Sequence, residues 1–137
     1  MTMPSRTALA MIVHDDCSFL SASLKSFEGV GDRLVFVSRE PWHGEPGDWQ
    51  KSVQFAADAG ATVIEGVWKS EEEHRAAAFR HLKDLGFTHA LIPDSDEVIE
   101  HRLLDALLKI VESDLADRVY VEWDTYWKDA GHVVRPR

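Results

Sequence analysis

The stretch Trp68 to Glu97, WKSEEEHRAAAFRHLKDLGFTHALIPDSDE, runs from a helix into an apolar segment that ends in acids, and this junction decides the fold. Ser70 stands three residues before Glu73, the spacing of a capping box, so a helix opens at SEEE. Phe79, Leu82 and Leu85 recur at helical period as its expected buried stripe, and Gly86 supplies the stop. HALIP is then too short for a second helix and reads as a buried strand. At its end Asp94, Asp96 and Glu97 crowd together. A helix delivered directly into a buried strand is the return half of a strand, helix, strand unit.

The same alternation extends in both directions. ALAMIV, RLVFV, ATVIEG, HALIP and RVYVEW are five candidate strands. Between them a first helix, about Ser18 to Glu28, carries Leu20, Leu24 and Phe27 on one face and stops before Gly29. A second follows the N-cap Asp48, turns Trp49, Val53 and Ala56 or Ala57 inward, and stops at Gly60. The fourth, HRLLDALLKIVES, presents Leu103, Leu104, Leu107 and Ile110 or Val111. The expectation is one α/β domain over residues 1–137: three layers, α/β/α, around a mainly parallel sheet.

Composition agrees. The chain has 137 residues, 45% of them apolar, enough for one core. A formal charge of −9 with no basic run disfavours nucleic acid and anionic lipid as partners. The single Cys17 offers neither a disulfide nor a zinc framework, which suits a reducing, cytoplasmic setting. MTMPSRTALAMIV is too brief to span a bilayer and lacks a cleavage site, so a mature, soluble protein is expected.

In open α/β sheets, ligands sit outside the carboxyl ends of the strands. This sequence puts His14, Asp15 and Asp16 after strand one, then Ser38 and the Gly- and Pro-rich loop SREPWHGEPGD after strand two. Gly66, Val67, Trp68 and Lys69 follow strand three, and the acids follow strand four. Two carboxylates at i and i+2 can present oxygens to one hard divalent ion, Mg²⁺ or Mn²⁺, which then neutralises a diphosphate. Equally, Asp94 or Ser95 can cap the next helix, with the other acids at its positive end. Asp15 or Asp16 can likewise cap the first helix, and Arg75 can pair with Glu71 or Glu72 on its own helix. Trp42, His43 and Trp49 can stack on a base or sugar, or simply cover the sheet edge. The remaining histidines read as surface.

The Trp68–Glu97 segment resembles the donor-binding core of family 2 glycosyltransferases of the GT-A fold, whose pattern runs from ARN opening a helix to a strand ending in DADE. Arg75 falls on the Arg of that pattern, and Asp94, Asp96 and Glu97 fall on its acids. HDDCSFLSASLKSF after the first strand is similar to the family's opening segment. The resemblance, from about Ala8 to Trp127, implies a minimal or truncated GT-A-like domain that binds a nucleotide-diphosphate sugar. On that likeness Asp96 ligates the metal, and Asp94 contacts ribose or, through water, the metal. Arg75 approaches the diphosphate, and His14, Asp15 and Ser38 take positions along the nucleotide. Ser38 replaces the family's acid and Ala76 its Asn, so strong uridine preference is not expected.

If the chain is active, the resemblance implies transfer with inversion at the anomeric carbon of the sugar, a glycan or other acceptor being deprotonated by a carboxylate. No downstream acid matches the family's base; Glu122 and Asp124 are the candidates, and the tail reads as an interruption more than a terminus. The alternative is a non-catalytic nucleotide-binding or assembly module, and an oligomer is compatible with either. A phosphatase of the haloacid-dehalogenase type would place its nucleophile motif after strand one. A nucleotidyltransferase would need a Gly-rich loop where HDDCSF stands.

Overall fold

The computed structural model describes residues 5–113, 117–121, 125–126 and 133–134, the last four in backbone only. Four parallel strands form one sheet: β1 (Thr7–Val13), β2 (Asp32–Ser38), β3 (Thr62–Gly66) and β4 (His89–Leu91), in the order β3-β2-β1-β4. Register pairs Met11 with Val35, Leu9 with Leu91 and Phe36 with Ile64. β1 and β2 are central, and TALAMIV is accordingly almost wholly buried, as a strand covered on both faces must be.

Strand alternation sorts the core into two halves. Leu9, Met11, Val13, Val35 and Val37 point to one face. They meet Leu20 and Leu24 of α1 (Leu20–Ser26), Ala56 of α2 (Trp49–Asp58) and Leu104 of α4 (His101–Ser113). Ala8, Ala10, Leu34 and Phe36 point to the other, where α3 (Glu71–Asp84) lies with Ala78 and Leu82 against them. Alanines on both partners allow that helix to sit close. Burying each of the larger side chains stabilises the fold by about 1.5–3 kcal/mol.

Caps match the sequence closely at two helices. Asp48 accepts from the Lys51 amide at 3.2 Å, and Ser70 from the Glu73 amide at 3.2 Å. Glu73 bonds back to the Lys69 amide, one residue outside the expected box. Gly60 and Gly86, at φ 85° and 84°, take the left-handed conformation that ends α2 and α3. Along the amino edge of the sheet two arginines complete the carboxyl ends of helices. Arg33 donates to the carbonyls of Leu24 and Ala59, and Arg6 donates to that of Leu85 while lying over the Phe87 ring.

Three expectations need correction. Phe79 and Leu85 are exposed, at 42% and 48%, whereas His74, Ala78 and Leu82 form the buried line of α3. The stripe turned because the sheet below offers small residues and the Phe36 carbonyl, to which His74 bonds. His74 is therefore core and not surface. RVYVEW joins no strand in its described part, Arg118–Val121, where Tyr120 is 83% exposed. Thr125–Tyr126 and Val133–Val134 pair antiparallel as β5 and β6, apart from the main sheet. No helix among the described residues is long and apolar enough to cross a membrane.

Candidate functional site

Strands β1 to β3 step one way along the sheet over α1 and α2, and then α3, on the opposite face, carries the chain back past them to β4. The direction of winding reverses between β1 and β4. Their carboxyl ends thus flank the switch point at which doubly wound sheets bind ligands. The residues that follow these two strands are His14-Asp15-Asp16 and Asp94-Ser95-Asp96-Glu97.

The two segments touch. Ser95, buried among exposed acids, donates its hydroxyl to Asp16 Oδ2. The acidic turn is closed twice: the Glu97 amide donates to the Asp94 carbonyl, and the Asp94 amide to Glu97 Oε1, each at 3.1 Å. Neither Asp94 nor Ser95 caps α4, which begins only at His101. Asp15 and Asp16 do not cap α1 either, since its N-cap is Phe19 without a side-chain bond. Both capping explanations of the acids therefore fall away.

One carboxylate oxygen from each of Asp94, Asp96 and Glu97 lies within 4.8 Å of the others. Oxygens on opposite sides of a Mg²⁺ ion stand roughly 4.2 Å apart, and around Ca²⁺ about 4.6–5.2 Å, so one hard cation fits after small rotations of exposed side chains. Glu97 carries the imprint of this crowding. Burial, then the negative charges of Asp94 and Asp96, push its pKa up to about 7, although the bond from the Asp94 amide pulls the other way.

Beside the acids, the loop after β2 is firmly tied. Ser38 is fully buried; its hydroxyl donates to the Glu40 carbonyl at 2.6 Å and accepts from the Trp68 amide at 3.1 Å. His14 bridges the Ser38 carbonyl and the Gly47 amide. Asp15 lies directly on Gly47, where an added Cβ would stand 1.8 Å from the carboxylate. Trp68 folds across Gly66 and stacks on His74 at 4.6 Å, and Trp42 donates its indole N–H to His74. Trp49 packs on the core. Trp42 and Trp49 are thus engaged in covering the sheet edge.

The structure unites His14, Asp15 and Ser38 through the loop, and Asp16, Asp94, Asp96 and Glu97 through the Ser95 bond. Arg75 stands apart in an ion pair with Glu71 at 3.0 Å, so a diphosphate would have to displace that carboxylate. Glu122 and Asp124 lie outside the described residues. Sequence reasoning offered Ser95 only as a helix cap and not as the bridge to Asp16, and it missed His74, whose one signal is its i, i+4, i+8 register with Ala78 and Leu82. Cavities of about 140 Å³ beside Phe79 and Phe87, and of about 230 Å³ beside Val30 and Leu108, include none of the candidate residues. Compared with known proteins, the chain matches no family model, no curated protein and no solved structure. Function is therefore argued from the site itself.

Proposed function

We propose that this chain binds a nucleotide-diphosphate sugar through a divalent cation held by Asp94, Asp96 and Glu97, as the donor domain of a glycosyltransferase. The observation that carries the proposal is the convergence of three carboxylates at the switch point of a parallel sheet. That is where such folds take up phosphate-bearing ligands. A bound Mg²⁺ or Mn²⁺ would offset the ligand's negative charge on a chain of net charge −9. Asp96, exposed and free of the backbone bonds that occupy Asp94 and Glu97 in the turn, is the principal ligand among the three. His14 and Asp15 then stand on the nucleotide side, between the acids and the loop after β2.

A second reading is favoured by the turn itself. The paired Asp94 and Glu97 bonds close it without any ion, so the acids would serve structure alone. Thermal unfolding with UDP, GDP or ADP, each with and without Mn²⁺, separates the two. The parent is expected to gain stability only when nucleotide and metal are both present, and Asp96→Asn to lose that gain while unfolding at the parent's temperature otherwise. Equal nucleotide affinity in parent and variant, with metal present, overturns the metal role of Asp96. No gain with any nucleotide overturns the proposal and leaves the acids to the turn.

A further inference from the structure

We infer that the loop from Arg39 to Gly47 is a clasp closed by two neutral histidines of opposite tautomer, and that a second proton on His74 opens its Trp42 end. The geometry assigns both tautomers. His14 Nδ1 lies 2.7 Å from the Ser38 carbonyl, which can only accept, so Nδ1 carries the proton. Its Nε2 lies 2.9 Å from the Gly47 amide, which can only donate, so Nε2 is bare. For His74 the roles exchange: Nε2 donates to the Phe36 carbonyl at 2.7 Å, and Nδ1 accepts from the Trp42 indole N–H at 3.2 Å. Each imidazole thus hangs one point of the loop, Gly47 or Trp42, on the end of β2.

A second proton on either ring would turn its acceptor into a donor facing another donor. The surroundings grade this sensitivity. His74 is wholly buried between Trp68 and Trp42, with Arg75 beside it on α3 and His14 across from it at the end of β1. Lys69, in the β3–α3 connection, is paired with Glu40 of the loop. Burial first, then Arg75 and His14, hold the His74 pKa below the ordinary histidine value. His14 and Asp15 both meet Gly47, the first at its amide and the second with its carboxylate against the α-carbon. A histidine whose folded pKa is depressed contributes stability that is complete above pH 6.5 and is lost as the pH falls from there toward the folded value. The Trp42 end of the clasp is therefore shut at neutral pH and weakens as the pH falls below 6.5.

Amide hydrogen exchange of the full chain from pH 8 to pH 4.5, corrected for the intrinsic rate, reads the device directly. The amides around Trp42 are expected to lose protection by up to about tenfold for each pH unit below 6.5, while β1 and β2 stay protected. Nitrogen-15 spectra at pH 8 are expected to show His14 protonated on Nδ1 and His74 on Nε2. His14→Gln is expected to leave the Trp42 end as pH-sensitive as in the parent. Reversed tautomers in the parent would overturn the assignment, as would loop protection unchanged after both rings have gained a proton. The tautomer measurement needs no variant and no nucleotide, so it stands whether or not the variant folds or the donor-binding proposal holds.

Discussion

At the scale of single residues, Glu97 is where charge and function meet. Its pKa of about 7, against 4.5 for an ordinary glutamate, means that the folded chain holds a proton the unfolded chain gives up. Between those values stability falls as pH rises, and above pH 7 the whole penalty of a partly buried charge among like charges remains. Glu97→Gln keeps an oxygen to accept the Asp94 amide but removes that charge. It is expected to raise stability at pH 8 by on the order of 1 kcal/mol, after allowance for solvent screening, and to change little at pH 4.5. Cation binding needs the ionised carboxylate, so the parent should release a proton on taking up Mn²⁺ at pH 6 and lose affinity as pH falls through 7. The variant should bind more weakly and with a flatter pH profile. Urea melts at the two pH values and calorimetry in buffers of different ionisation heat check both halves; a variant less stable than the parent at pH 8 would contradict the charge argument.

At the scale of elements, α3 shows how a tertiary partner overrides periodicity. Phe79, Leu82 and Leu85 form a legitimate helical stripe, yet only Leu82 is buried, at 4% exposure, because the line His74, Ala78, Leu82 fits the alanine-floored sheet. Leu82→Ala is therefore expected to cost about 2–4 kcal/mol and Phe79→Ala less than about 1 kcal/mol. Comparable losses in urea denaturation would mean that the helix sits rotated from the position described. Most other elements were legible in the sequence. The four strands of the main sheet have near-continuous apolar runs, Asp48 and Ser70 announce their helices, and Gly60 and Gly86 end them. His74 was not legible, since a polar ring counts against burial until the Phe36 carbonyl and the Trp42 indole are seen to satisfy both nitrogens. Nor was it legible that residues 118–121 of RVYVEW form no strand: strand composition states a preference, and only the sheet decides whether an edge receives it. Of the site, the acids and their edge were readable from DSDE, but the Ser95 to Asp16 bond, which joins two loops distant in sequence, required the fold.

At the scale of the whole molecule, the distribution of charge bears on what the edge can select. A chain of net charge −9 repels a free diphosphate at every distance that salt does not screen, so recognition is carried by whatever cancels that charge locally. The acids after β4 do so only by recruiting a cation, and the phosphates they would then share are common to every nucleotide. Selectivity among bases would have to come from the ends of β1 and β2. There Ser38 is fully buried, with its hydroxyl engaged by Glu40 and Trp68, and His14 is occupied by the loop on both nitrogens. Neither retains a polar atom to read a base while the loop is closed. UDP, GDP and ADP are therefore expected to bind within about tenfold of one another, a spread of 1.4 kcal/mol, when Mn²⁺ is present, and all three weakly when it is removed by chelation. Calorimetry at one salt concentration and pH 7.5 makes the comparison. A hundredfold preference for UDP would locate a reader outside the closed network, and Asp15→Asn beside Asp16→Asn would then identify which carboxylate after β1 supplies it.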